Sequence, residues 1–439
     1  MNKTASTLSC RTTPGRGIGL AVCRAVVACL LPAALIGLAL LLTARPAAGA
    51  EWSLHGFGTV GLAWFDKPHD WGFMRSVNQH KSREELRADV DSVAGLQANF
   101  AVSRHIEVVG QISATALEDA KANDYVALAF LGWRPDPHWT LRAGRVNLDA
   151  FLYSDHRDVG YTYTFIRPPV EYYGRMPAWL DGGDVTRSWA GSEVQWQAKL
   201  FAGRTSAGTD GGRLELSPLF GVMLSREAGG LLLRISAVHA KTADTIAGLR
   251  PLIAGLTELE ELSEPSVAAG AAELKDSLIT RGTRTRYVAA GVSYDRHGWL
   301  AGAEVSRARV DARNASFTSG YVSIGRRFGT LTGFVIESAA MRDARPRAVP
   351  DWSTPLAFDP ILAAQAQAIA VGATQAFNNG AAHQYTTSVG LRWDVVPNVA
   401  VKTQWDHVRT RREGSGLWHG GDGVPHHSDV VAVAIDFVF

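Results

Sequence analysis

The sequence predicts an all-β fold: a transmembrane antiparallel β-barrel of about 16 strands, with short periplasmic turns and long extracellular loops. Three observations carry this. Apolar side chains alternate with polar or small ones in windows of about ten residues, the period of a strand with two unlike faces. After residue 50 no stretch of roughly 18 apolar residues exists, so no helix is long and apolar enough to span. The connections between windows alternate between short and long.

Residues 1–50 read as a leader. A basic region (Lys3 to Arg24) precedes an apolar run, Ala25 to Ala44, and then Ala48-Gly49-Ala50. Small residues at Ala48 and Ala50 fit a signal-peptide cleavage site after Ala50. A retained membrane anchor is the competing reading of the same run. All three cysteines (Cys10, Cys23, Cys29) lie in this segment, so the exported part has no thiol. That suits an oxidising compartment. The leader also carries five of the 44 basic residues and no acid. That leaves 39 basic against 42 acidic, a net −3, over 51–439. No clustered basic face marks a nucleic-acid partner. A hydrophobic fraction of 46% excludes disorder.

The exported chain, 51–439, forms one barrel domain. Leu96, Ala98, Phe100 and Val102 alternate with Gln97, Asn99 and Ser103. Val194, Trp196, Ala198 and Leu200 alternate with Gln195, Gln197 and Lys199, and Val389, Leu391 and Trp393 with Gly390, Arg392 and Asp394. The last window puts Val431, Val433, Ile435, Phe437 and Phe439 on one face. Short turns fall near 104–105, 134–138, 190–191, 227–230, 296–298, 328–329 and 395–398. Long loops fall at 66–90, 118–124, 147–182, 205–216, 242–284, 309–313, 342–382 and 411–428. Single-sequence boundaries leave 14 or 18 strands open as alternatives to 16, within about two to four residues per end.

In lipid every backbone N–H and C=O needs a partner, so a sheet spans only by closing. A lipid-facing outside and a polar lumen produce alternation without long apolar runs. Trp133, Trp139, Trp299 and Trp393 flank the short turns, where interfacial rings settle. A soluble antiparallel protein would also alternate, but sixteen strands without a second layer do not suit it. Two long loops carry helical spacing. One is 245–278, interrupted at Pro265. The other is 360–377. Both fit packing over the barrel mouth or docking of a partner.

The chain resembles Gram-negative porins, though not closely the general enterobacterial ones. The carrying residues are the Gly-rich first strand, His55 to Leu62, Leu141-Arg142-Ala143-Gly144-Arg145 before the third long loop, the segment 151–177, and terminal Phe439. A Pro-Glu-Phe-Gly-Gly type motif is absent from that loop. The resemblance implies a homotrimer in the outer membrane lipid bilayer and a third loop, about 147–182, that folds inward. It implies passive passage of small hydrophilic solutes and ions, selected by size and charge at that loop.

Rings of fixed charge set which ions enter a constriction. The loop candidates are Asp155, Asp158, Glu171 and Asp181, with Arg167 and Arg175 among them. Asp149 and Asp184 are further loop acids. Wall candidates on the inward parity are Arg142, Lys199, Arg234, Arg392 and Lys402. Glu107, Glu193, Glu304 and Asp436 share that parity. Tyr161, Tyr163, Tyr172 and Tyr173 either line the loop or pack it to the wall. His419, Asp422, His426 and His427 have ligand-type side chains without a metal-site spacing, and no metal or other cofactor is called for. Ser154 and His156, beside Asp155 and Asp158, are the nearest approach to a catalytic cluster, and no nucleophile motif accompanies them. The expectation is a channel and not an enzyme. The alternatives are a barrel enzyme and a plugged structural or adhesive barrel that binds partners through its loops.

Overall fold

The computed structural model describes residues 51–439 except 67–70, 119, 210, 312–315, 344, 380–381, 416 and 420–425. The expected leader, its cleavage after Ala50, and Asp422 lie outside the described residues.

Sixteen long strands make one closed antiparallel sheet. They are β1 (Glu51–Phe65), β2 (Val93–Ser103), β3 (Ile106–Ala114), β4 (Val126–Asp136), β5 (Trp139–Asn147), β6 (Trp179–Ala190), β7 (Gln195–Thr209) and β8 (Gly212–Ala228). There follow β9 (Leu231–Thr242), β10 (Arg284–Arg296), β11 (Trp299–Val310), β12 (Phe317–Phe328), β13 (Leu331–Arg342), β14 (Ala382–Val396), β15 (Val399–Ser415) and β16 (His426–Val438). Each pairs with its sequence neighbours. β16 returns to β1 in register from Phe57↔Val438 to Phe65↔Val430. Closure leaves no row of unpaired amides.

The alternation sorts the two faces. On β1, Val60, Leu62 and Trp64 are exposed while Thr59, Ala63 and Phe65 are buried. On β11, Val305 is exposed between buried Glu304 and Ser306. On β16, Val431, Val433 and Ile435 point out and Ala432, Ala434 and Asp436 point in. Large apolar side chains outside and charged ones inside are the distribution that lipid imposes on a barrel. Exposed Trp133, Trp139, Trp189, Trp299, Phe328 and Trp393 ring the short-turn rim.

The seven short turns lie where the sequence places them. Gly229–Gly230 and His297–Gly298 hold positive φ at both central residues, the hairpin turn whose twist matches its strands. The segment 205–216 differs from expectation. It is not a loop but the top of the β7–β8 ladder, paired from Thr205↔Leu216 to Thr209↔Gly212. Its Gly, Ser and Thr residues extend a sheet above the lipid, where neither face needs apolar side chains and the period-2 signal fades.

The third long loop contains a single turn of helix, α1 (Val170–Tyr173). Two outward loops hold α2 (Arg250–Glu260), α3 (Pro265–Leu278) and α4 (Pro360–Asn379). Pro265 follows a break in the helical pattern at 261–264, as the sequence predicts. It opens α3, where its missing N–H has no helical partner to lose. The three helices share their own small core, with Leu256, Leu274, Ala366 and Phe377 packed around Trp352.

Candidate functional site

The loop between β5 and β6 is four residues shorter at its far end than the sequence suggested. β6 begins at Trp179, so Asp181 and Asp184 are strand residues, not loop acids. Gly182, Gly183 and the flanking acids hide the alternation there. Asp181 receives the Arg145 guanidinium at 2.6 and 2.9 Å. Asp184 receives that of Arg142 at 2.6–3.0 Å.

Residues 148–178 run across the lumen and are bonded to inward side chains of β7, β9, β11, β13, β14 and β15. At the start, buried Asp149 pairs with Lys199 of β7 and with Arg234 of β9 at 3.1 Å. Ser236 of β9 donates to the Ala150 carbonyl at 2.9 Å, and the Leu152 N–H to Glu304 of β11 at 2.9 Å. Midway, Lys402 of β15 donates to the Gly160 and Phe165 carbonyls at 2.7 and 3.0 Å and pairs with Asp436 of β16 at 2.8 Å. A Cβ at Gly160 would collide with Asp436 and Thr59, so only glycine permits that approach. Arg392 of β14 donates to the Tyr161 and Tyr163 carbonyls.

The far half of the loop is clamped by ionic groups. Arg167 is 2% exposed and donates to both oxygens of Asp91 at 2.7 and 2.6 Å, and also to Asp406 of β15. Burial pushes the Arg167 guanidinium down, but the two carboxylates outweigh it, and the net shift is upward. Burial pushes Asp91 up, and the Arg167 charge brings it below the ordinary carboxylate value. Asp91 closes the first long loop, so this one cation ties two loops to the wall. Glu171 in α1 is likewise buried and accepts from Ser338 at 2.7 Å and from Gln384 and Thr386.

Aromatic packing fills the space between. Phe151, Tyr163, Phe165, Tyr172 and Tyr173 meet Tyr287, Tyr321 and Phe334 of the wall. Tyr153 lies 5.2 Å from the Tyr163 ring, and Tyr163 stacks on Phe165 at 5.5 Å. The tyrosines that could have lined the loop are thus mostly its core. The first loop packs inward as well: Phe73 meets Trp418 edge-on at 5.2 Å, and Arg87 donates to the Phe73 and His80 carbonyls.

This packing is one-sided. The loop lies against β9 to β16 and leaves a cavity of about 160 Å³ toward β3 to β7. Gln111, Ser113, Asn147 and Ser206 form its wall side, and Asp155, His156, Arg157, Asp158 and Arg175 its loop side. Arg75 and Asp124 complete a lining of both signs. Asp155 is half-exposed and lies 4.0 Å from Arg234. Burial raises its carboxyl, but Lys199, Arg234 and Arg142 bring it below the ordinary value. Burial pushes the His156 imidazole down, and Asp155 offsets only part of that.

The sequence candidates therefore divide. Asp155, Asp158 and Arg175 line the cavity. Arg142 and Asp181 are held in strand-to-strand pairs. Arg167 and Glu171 of the loop and Lys199, Arg234 and Lys402 of the wall are buried where the two meet, and Arg392 is bonded to the loop backbone. Parity gave the inward direction of the wall residues but not what lay over them. Asp91 and Asp406 were missed. Asp406 shares the inward parity of Lys402 and Gln404, which was the available signal. His426 sits between Trp71 at 4.4 Å and Trp418 at 5.1 Å. Among the described residues no group of three His, Cys, Asp or Glu could hold a metal.

No family model matches the sequence, and no curated protein matches it. Solved structures do. An anion-selective porin from Comamonas acidovorans superposes with a TM-score of 0.51 at 9% identity, over 89% of this chain and 100% of that one. The outer membrane channel DcaP of Acinetobacter baumannii gives 0.49 at 12%, over 90% and 99%. A loop-deleted OmpT, an outer membrane protein of Vibrio cholerae, gives 0.48 at 12%, over 89% and 100%. At such identities the likeness speaks to architecture. Closed sixteen-fold pairing, an apolar exterior and a loop lying inside the lumen make this chain a barrel of the porin fold.

Proposed function

We propose that the protein is a passive diffusion channel of a bacterial outer membrane for small hydrophilic solutes and ions, exported with loss of residues 1–50 and assembled as a homotrimer. The observation that supports this is the cavity left on one side of the third loop, lined in part by the charged and polar side chains of Asp155, His156, Arg157 and Asp158. Transport there needs no chemical step. Size is limited by the packed tyrosines, and charge is screened by a lining of both signs. Ser154 accepts the Phe151 N–H at 2.9 Å, and among the described residues no hydrogen bond joins it to His156. A nucleophile with its base would need that bond.

Single-channel recording of the mature chain in a planar bilayer with a salt gradient tests the reading. Ohmic steps in groups of three are the expected result, and the reversal potential gives the sign of the filter. The packed lumen favours one rival, a plugged barrel that engages partners through α2 to α4. A folded barrel that inserts and carries no current would establish that rival.

The His156 environment gives a second expected outcome. Its downward shift keeps the imidazole neutral at pH 7 and charges it only below its ordinary value. Asp155, also shifted down, keeps its charge to lower pH than an ordinary carboxylate. Protonation of His156 on acidification therefore adds positive charge to the lining, and the reversal potential should then move toward anions. His156→Gln should remove that movement. An identical shift in the variant would place the titrating group elsewhere.

A further inference from the structure

The outer face of the barrel carries an unusual charge arrangement at the loop rim of β9 to β11. Lys241 of β9 lies directly opposite Arg284 of β10, and Arg286 of β10 lies directly opposite Arg309 of β11. Lys241, Arg284, Arg286 and Arg309 are exposed and share the outward parity of Ile235, Val288 and Val305. Like charges in facing positions, about 5 Å apart at Cβ, destabilise a sheet. Here two such pairs stand side by side. Arg307, next on that face, is spoken for by Asp343 and by Thr318 at 2.6 Å. Asp311 is the other acid on this patch. Among the described residues no ion pair satisfies Lys241, Arg284, Arg286 or Arg309.

Their height identifies what they meet. Arg309 is ten residues along β11 from Trp299, an exposed ring of the opposite rim. At about 3.3 Å per residue and a tilt of 35–45°, that is about 25 Å, the height of a barrel's apolar band. The cations thus stand where hydrocarbon ends and headgroups begin. The patch is not spread evenly round the barrel, although Arg409 and Arg411 of β15 are also exposed at this rim. On β1 to β4 the outward positions are small or apolar, among them Gly58, Ala98, Phe100, Gly110 and Ile112.

We propose that this patch is a docking surface for the phosphorylated headgroup of an outer-leaflet lipid, whose phosphate bridges the facing cations. Arginine forks suit phosphate, which accepts two parallel N–H bonds. Basic clusters at the membrane surface recognise anionic lipids in this way. The inference rests on the outer-membrane reading above.

The test uses the refolded mature barrel and vesicles of phosphatidylcholine doped with bisphosphorylated lipid A or with the same lipid stripped of its phosphates. After detergent extraction, lipid retained per barrel is measured by mass spectrometry. Retention should require the phosphates. The triple variant Arg284→Gln, Arg286→Gln, Arg309→Gln should weaken it about a hundredfold, at roughly fivefold per lost cation. Arg104→Gln, at a turn of the other rim, should not change it. Heat-modifiable migration reports whether each variant has folded. Equal retention of the stripped lipid, or of lipid by the triple variant, overturns the proposal. Displacement by millimolar inorganic phosphate would make free phosphate the ligand and overturn it too. A barrel that fails to insert sinks the membrane reading, and this one with it, by a different observable.

Discussion

Arg167→Met should free the far half of the third loop and widen the channel. The substitution keeps most of the side-chain volume and removes the charge. Asp91 and Asp406 then face each other with the shared cation gone, at 1% and 6% side-chain exposure. Breaking a buried pair by removing one partner costs about 3–5 kcal/mol, because a charge is left without compensation. Two carboxylates are left here, and they are relieved either by sharing a proton or by release of the loop from the wall. The expected results are a lower urea midpoint for folding in vesicles and larger, noisier current steps. Arg167→Lys should recover part of both, since it restores the charge but not the fork. Unchanged current with a lowered midpoint would mean that the tyrosine packing alone holds the loop in place.

Asp149→Asn should have the second largest effect, with a different signature. Asp149 is fully buried and is shared by Lys199 and Arg234. Its neutral isostere leaves two wall cations with one carboxylate nearby, Asp155 at 4.0 Å from Arg234. The stability loss should again be about 3 kcal/mol or more. The uncompensated charge lies next to the cavity, so the reversal potential should move toward anions at neutral pH. Arg167→Met removes positive charge on the other side of the loop and should not produce that movement. Measuring both variants and their double mutant separates loop release from filter charge. Non-additive midpoints would show that the two anchors hold one cooperative unit.

Much of the fold was legible because lipid enforces a rule on single residues. Outward positions within the apolar band are mostly apolar or small whatever their neighbours do, so Val431, Val433 and Ile435 disclose their face unaided. The turns disclosed themselves through Gly229–Gly230 and His297–Gly298. The inside obeys no such rule. Lys199, Arg234 and Lys402 were read as inward, and they are, yet their partners lie far off in sequence. Lys199 meets Asp149 across 50 positions, Arg234 meets it across 85, and Arg167 meets Asp406 across 239. No spacing encodes such contacts. The loop that decides them has no periodicity either. It is fixed by carbonyls, as where Lys402 holds Gly160 and Phe165, and a carbonyl is the same in every residue. Parity could therefore name the wall cations and could not say that a loop would lie on top of them.

The seam between β1 and β16 bears on the order of assembly. The first strand of the sheet must find the last, with Phe57 meeting Val438 only after the other fourteen strands lie between them. Until then each end carries an open row of amides, which hydrocarbon does not tolerate. Strands therefore cannot enter lipid singly, as helices can. Entry into the bilayer and closure of the circle have to occur as one event. The slowest contact in the molecule, by its separation along the chain, is also the one that commits the chain to the membrane.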